Sequence, residues 1–333
     1  MTVTYSRATT PAAAIAEVSA DPGAQFLAGG TTEVDLVFKD GVVAPRRLVD
    51  ISRLPLSGIT VDGGALRVGA TTTMAQMAAD ERVGRLLPSV REALLLGASP
   101  QLRNMATIGG NLLQRTRCRY FRDPAEPRCN KRTAGSGCAA IEGGARMHAI
   151  LGASPSCIAL HASDLAVPLT ALGSIVHLRS GGGPRRVPLT EFYRLPGRSP
   201  DRENVIWHGE LVTDVEIPLP PPQARQTYIK VRDRASYEFA LVSAAVSTVV
   251  EAGLVVSARI ALGGVGTIPW RAWEAEDVLR DAPVSEDSFR AAADAAVQRP
   301  FTVPGTEFKV ELARRTLVRA LRVTTGLIAE PTR

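Results

Sequence analysis

Between residues 113 and 160 the chain loses the apolar periodicity that marks helices and strands elsewhere, and this stretch holds all four of its cysteines, Cys118, Cys129, Cys138 and Cys157. A segment that long with no repeat of its own cannot bury an apolar face by itself, so its surroundings or a cross-link must hold it. The cysteine spacing is C-x10-C-x8-C-x18-C. Structural zinc sites usually show a close C-x2–4-C pair on a tight knuckle, and this chain has none. Two disulfides would also use all four thiols, but nothing marks the chain as independently secreted. An iron–sulfur cluster takes four thiolates and tolerates wide loop spacing, although the short ferredoxin run is missing. On spacing alone, cluster, zinc, and disulfides or inert thiols all stay open.

Charge bears on the choice. From Arg115 to Arg132 there are seven basic residues against two acids, Asp123 and Glu126, while the whole chain of 333 residues carries a net charge of only +6. Basic surroundings favour thiolates and an anionic cluster. The bland alternative is a solvated basic loop, or a phosphate-contacting one with Tyr120 and Phe121 for stacking. Arginines interleaved with thiols favour the cluster, and a negatively charged cluster is the partner we expect for this patch.

The rest of the chain alternates between helix and strand patterns. Thr10 followed by Pro11 is a hydroxyl cap and a first-turn proline, so a helix starts there and ends near Pro22-Gly23. A strand over 24–28 runs into Gly29-Gly30-Thr31-Thr32; 33–39 reads as helix or strand, and 46–52 as strand. A hairpin turn at Gly63-Gly64, helical spacing over 74–87 and 88–96, and a loop over 97–112 returning to the core come next. Residues 164–173 look helical, and 175–180 and 186–193 look like strands. Pro218 to Pro222 is the best linker, since that density of proline continues neither helix nor sheet. Beyond it lie three apolar segments that fit strands or a buried helix, then amphipathic helices over 272–281 and 285–298. A last helix places Val310, Leu312, Ala313, Leu317 and Leu321 on one face. We therefore expect a domain over 1–218, with lobes 1–57 and 58–218 and the cysteine segment 113–160 inserted in the second, and a C-terminal domain over 223–330. At 45% apolar and 22% charged residues the chain is not disordered. No run approaches the ~18 apolar residues of a membrane span, and the first residues do not read as a signal peptide.

Two Gly-Gly loops offer unblocked backbone: Leu27-Ala28-Gly29-Gly30-Thr31-Thr32-Glu33-Val34 and Ala106-Thr107-Ile108-Gly109-Gly110-Asn111. Neither fits the dinucleotide fingerprint G-x-G-x-x-G or a phosphate loop ending in Lys-Ser/Thr. One such loop alone is a tight turn. Two, each beside threonines and a carboxylate or amide, offer N–H and hydroxyl donors suited to a pyrophosphate.

Together with SDLAVPLTAL (163–172), YIKVRDRASYEFALVSAAV (228–246) and ALGGVGTIPWRA (261–272), these loops resemble the flavin subunits of molybdenum hydroxylases, the xanthine dehydrogenase and aldehyde oxidoreductase group. The match runs nearly end to end and in order. It implies an α+β or α/β chain: a two-lobed FAD-binding domain followed by a smaller α/β C-terminal domain. By this resemblance Leu27, Ala28, Gly29, Gly30, Thr31, Thr32, Glu33 and Val34 wrap the FAD pyrophosphate. Ala106, Thr107, Gly110 and Asn111 form the second wall, Ser163 and Asp164 bond the ribityl or adenosine side, and Lys230 lies near the flavin. In ordinary members the second Gly-Gly loop leads within a few residues to the Ser-Asp segment. Here about fifty residues separate Asn111 from Ser163. An insertion of this kind resembles that of the cluster-bearing flavin subunit of bacterial periplasmic aldehyde oxidoreductases, and more distantly that of 4-hydroxybenzoyl-CoA reductase. It implies that Cys118, Cys129, Cys138 and Cys157 bind a 4Fe-4S cluster, with His148 and His161 structural.

The function implied is electron transfer inside a heterotrimer. A large molybdenum-cofactor subunit would oxidise the aldehyde, a small 2Fe-2S subunit would relay electrons, and this FAD would pass them to an external acceptor. No catalytic acid or base is expected on this chain, and neither nucleic acid nor membrane as partner. With no signal of its own it would be cytoplasmic, or periplasmic if exported with a signal-bearing partner. The rival readings are a subunit of a CoA-thioester reductase, a self-sufficient FAD oxidase of the vanillyl-alcohol type, and a zinc-stabilised nucleic-acid-binding module.

Overall fold

The computed structural model describes residues 3–328, so the outermost residues of the two expected domains, 1–2 and 329–330, lie outside the described part. Three sheets carry the architecture. The first is parallel, with β1 (Thr4–Arg7), β2 (Ala24–Leu27) and β3 (Arg47–Asp50) in the order β1-β3-β2. The helix Pro11–Ala20 covers it, and the Thr10 hydroxyl accepts from the Ala13 N–H as the sequence signal requires. The ambiguous stretch after the first Gly-Gly becomes a wide helical turn over Asp35–Lys39.

The second sheet is antiparallel: β4 (Ile59–Asp62), β5 (Ala65–Gly69), β6 (Ile175–Ser180), β7 (Gly183–Pro188) and β8 (Leu211–Pro218), in the order β4-β5-β8-β6-β7. Three expectations change here. The strand read over 186–193 stops at Pro188, and Leu189–Phe192 turn into a short helix that buries Leu189 and Phe192. The stretch 97–112 is not one loop but carries helices Pro100–Arg103 and Ile108–Leu112, each started by a hydroxyl cap, Ser99 and Thr107. The helical spacing of 74–87 also breaks at Asp80, whose carboxylate caps a new helix over Glu81–Leu86.

Beyond the proline run a third antiparallel sheet follows: β9 (Arg225–Val231), β10 (Val242–Glu251), β11 (Leu254–Gly263), β12 (Trp270–Arg271) and β13 (Ala282–Pro283). Helices Trp273–Leu279, Glu286–Ala296 and Phe308–Thr325 pack on it around Phe289, Leu317 and Leu321. Lys309 interrupts the apolar face of the last helix. It is fully buried, and its Nζ donates to the Gly264 carbonyl at 2.7 Å, so the head group is satisfied without a counter-ion. Burial pushes its pKa down to about 7.

Two joints position the site. Ala93 and Val167, from helices Pro88–Leu96 and Ala166–Ala171, pack with Tyr228, Ala245 and Ala261 of the third sheet. The cysteine segment ends inside the C-terminal unit: Ile150 and Leu151 belong to its apolar core, and Leu151 pairs in parallel with Gly266. Among the described residues no helix is long and apolar enough to cross a membrane.

Candidate functional site

The first Gly-Gly loop leaves the C-terminal end of β2, beside the ends of β1 and β3, where an open parallel sheet places its ligand crevice. Gly30 takes a left-handed φ of +71°, and a side chain on Gly29 would overlap the Met105 carbonyl. The first loop therefore lies backbone to backbone against the segment that leads into the second. That second loop is hung on the second sheet: Gly109 N–H donates to Ala70 O, Ile108 N–H to Thr72 O, and Gly109 presses on Ala70. The Thr107 hydroxyl accepts from Gly110 N–H at 3.3 Å.

Between the loops runs a cleft made of three cavities that share walls. The first, about 190 Å³, is lined by Leu27 to Glu33 together with Thr107 and Gly110. The second, about 380 Å³, begins at Thr31, Thr32 and Gly110 and continues past Ala106 and Asn111 to Asp164 and Lys230. The third, about 400 Å³, carries on from Asp164 past Ser163 to Cys118 and His148. Of the residues expected at a cofactor, Val34 alone lines none of these cavities and stands exposed.

Some of these side chains are already engaged. Asp164 accepts from Tyr228 Oη at 2.6 Å and from Lys230 Nζ at 2.7 Å, and Lys230 also donates to Leu96 O. Lys230 thus meets the cleft as half of a buried ion pair. Ser163 Oγ donates to Asn111 Oδ1 at 2.6 Å, tying the Ser-Asp segment to the second loop. Glu33 differs: its Oε1 is buried without a partner, and burial raises its pKa. An orphaned acceptor in a cleft wall fits a ligand that brings its own donors.

All four cysteines line one small void of about 10 Å³. A hydrogen bond from Cys157 and the N–H groups of Ile158, Ala140 and Ile141 hold Cys138 below the usual thiol range, while Cys157 is raised in return. Burial pushes Cys118 up to about 11, and His148 Nε2 stands 3.2 Å from its sulfur. The thiol set and its N–H donors are those an iron–sulfur centre uses. The void itself is narrow, and among the described residues no three His, Cys, Asp or Glu side chains stand at metal-binding spacing.

Of the basic patch, Arg128 and Lys131 line this void, while most of its cations are taken up by other partners. Arg115 and Lys131 pair with Glu203, at 2.6 and 2.8 Å, and Arg122 pairs with Asp40 at 2.6 Å. Arg128 pairs with Glu142, and Arg132 donates to the carbonyls of Tyr120 and Phe121. Most of the local charge is thus spent on docking the insertion, with carboxylates remote in sequence. Three contributors to the cleft escaped sequence reasoning: Tyr228, Arg117 and Phe239. Tyr228 was within reach, because it shares a strand face with Lys230 two residues on. Arg117 and Phe239 have no such local signature.

The chain matches two family models, the FAD binding domain in molybdopterin dehydrogenase over residues 1–220 and the CO dehydrogenase flavoprotein C-terminal domain over 227–324. It is 45% identical over 320 residues, 96% of each chain, to the aldehyde oxidoreductase FAD-binding subunit PaoB of Escherichia coli. It is 27% identical to the putative xanthine dehydrogenase FAD-binding subunit XdhB of the same species, over 88% of this chain and 85% of that one. Among solved structures it superimposes on a chain of reconstituted CO dehydrogenase from Oligotropha carboxidovorans with a TM-score of 0.77, at 26% identity, covering 98% of both chains.

Proposed function

Since this chain belongs to the FAD-binding subunits of the molybdenum-hydroxylase family, an α/β FAD-binding domain with a smaller C-terminal domain, we propose that it is the flavin- and cluster-bearing electron-transfer subunit of an aldehyde oxidoreductase. The observation that carries the reading is the apposition of two glycine loops, backbone against backbone, along a cleft that reaches Cys118. Identity of 45% to a subunit named for aldehyde oxidation favours that substrate class over xanthine or carbon monoxide.

On this reading the domains are 1–218 and 223–330. Leu27 to Glu33 and Ala106, Thr107, Gly110 and Asn111 hold the pyrophosphate of FAD through backbone N–H and hydroxyl donors, and Val34, exposed outside the cavities, is left out of the set. Glu33 accepts from the ligand with its orphaned oxygen. Ser163, Asp164 and Lys230 close the far end, where the Asp164–Lys230 pair keeps the local charge balanced. Cys118, Cys129, Cys138 and Cys157 would hold a 4Fe-4S cluster, with the N–H groups near Cys138 as donors to its sulfurs. When bound, the cofactors supply the redox chemistry; the protein positions them and shields them from water. The substrate is oxidised on a large molybdenum-cofactor subunit, a small 2Fe-2S subunit relays the electrons, and an external acceptor takes them from this chain.

The test is a visible spectrum and metal analysis of the complex purified without added cofactor. The expected result is flavin absorption with a broad iron–sulfur shoulder and about four iron atoms for this chain beyond those of the partner subunits. A colourless chain that retains zinc overturns the reading.

A further inference from the structure

The cations of the insertion have unequal partners. Arg115, Arg122 and Lys131 each meet a carboxylate within 2.8 Å. Arg117 does not: Asp35 is 3.5 Å away, Thr32 Oγ1 is 3.4 Å away, and its Nε is buried with no acceptor. A guanidinium stays charged in a protein, and a buried donor without an acceptor is costly. This arginine therefore presents an under-compensated positive charge.

Its position says what would complete it. Arg117 lines both the second and third cavities, beside Thr32 on one wall and Asp164 on the other, and lies 5.4 Å over the Phe239 ring. Lys230, a buried cation in the same cleft, is already matched by Asp164 at 2.7 Å, and Lys39 is exposed. The first cavity, at the opposite end of the cleft, does not include Arg117.

We propose that Arg117 is a flavin-binding residue supplied by the cysteine insertion, and that its charge favours the reduced flavin over the oxidised one. This rests on the reading that the cleft holds FAD. Two-electron reduction that takes up one proton leaves the flavin with one more negative charge; Arg117 gives up no proton and offsets that charge by proximity. The insertion thereby acts on the flavin directly, through the residue next to Cys118.

The experiment uses the assembled complex with Arg117→Met, Arg117→Gln and Arg117→Lys, reading the flavin midpoint potential and the affinity for oxidised FAD. Met and Gln should each favour the oxidised form about tenfold, close to 30 mV for a two-electron couple, while oxidised FAD stays bound. Lys should recover most of the shift. Unmoved potentials with FAD retained overturn the proposal, and so does an equal loss of affinity in both redox states, which marks a pyrophosphate or purely structural contact. Gln retains hydrogen bonding, so it serves if the Met variant fails to fold. A wild-type complex without flavin defeats the cofactor reading itself, whereas flavin-loaded protein with unmoved variant potentials defeats only the role of Arg117.

Discussion

The two walls of the cleft are built from opposite materials. On one side the glycine loops are fixed by backbone: strand ends, N–H to carbonyl bonds, and a contact at Gly29 that leaves no room for a methyl group. On the other side the insertion carries only two helices of four residues, Arg119–Arg122 and Ala139–Glu142. It is held by ion pairs to Asp40 and Glu203 and by a small apolar cluster around Ala140, Ile158 and Val303. A wall of close-packed backbone tolerates no substitution but needs no ligand to stand. A wall of long side chains tolerates change at each contact, and depends on whatever cross-links its centre.

The largest effect expected from this contrast is at Gly29. Valine there must displace the Met105 carbonyl, so Gly29→Val should cost about 3 kcal/mol and abolish flavin retention, read by thermal unfolding and bound-flavin absorbance. Normal flavin content in this variant would show that the first wall is softer than its packing implies. At the second wall, Cys129→Ser should remove iron from this chain and speed amide hydrogen exchange over 113–160, while leaving exchange in the first sheet unchanged. Loss of protection in both regions would mean that they are one cooperative unit and the contrast is false.

The smallest effect is at Glu203, partly buried between Arg115 and Lys131. Burial alone would raise its pKa, but the two cations outweigh it and hold it below the usual 4.5. A depressed carboxylate stabilises the folded state above its unfolded pKa and loses that contribution as pH falls through the folded value. Glu203→Gln should therefore cost about 1–2 kcal/mol at pH 7, and the gap from wild type should close as the pH drops below about 4.5. A gap that stays constant from pH 7 to pH 3, measured by denaturant titration, would remove the ion pairs from the account of how the insertion docks.

The difference between the walls also decides what the sequence discloses. Gly29-Gly30-Thr31-Thr32 and Gly109-Gly110-Asn111 are local signals, since a backbone that must turn tightly and lie bare writes itself in consecutive residues. The Thr10-Pro11 helix start is legible for the same reason. The docking of the insertion is not. Arg122 and Asp40 lie 82 residues apart, and Arg115 and Glu203 lie 88 apart, so neither partner marks the other. The same distance explains why a basic patch suggested an anion at its centre while the folded chain pairs much of it with carboxylates far off in sequence. Lys309 on an apolar helix face misleads in the opposite sense, because its acceptor is a main-chain carbonyl that no side-chain pattern records.

The way the insertion ends governs the order of events during synthesis. Ile150 and Leu151 pack into a core completed by Val265 and Leu317, and the Ile150 carbonyl is met by the N–H of Phe301. A ribosome that has released only the first 220 residues has delivered both glycine loops and all four cysteines, but not the surface on which residues 145–151 come to rest. The nucleotide cleft's first wall can form early on the emerging chain. The thiols reach their final places only when nearly the whole polypeptide is free, so the cysteine segment is among the last parts of the chain to settle.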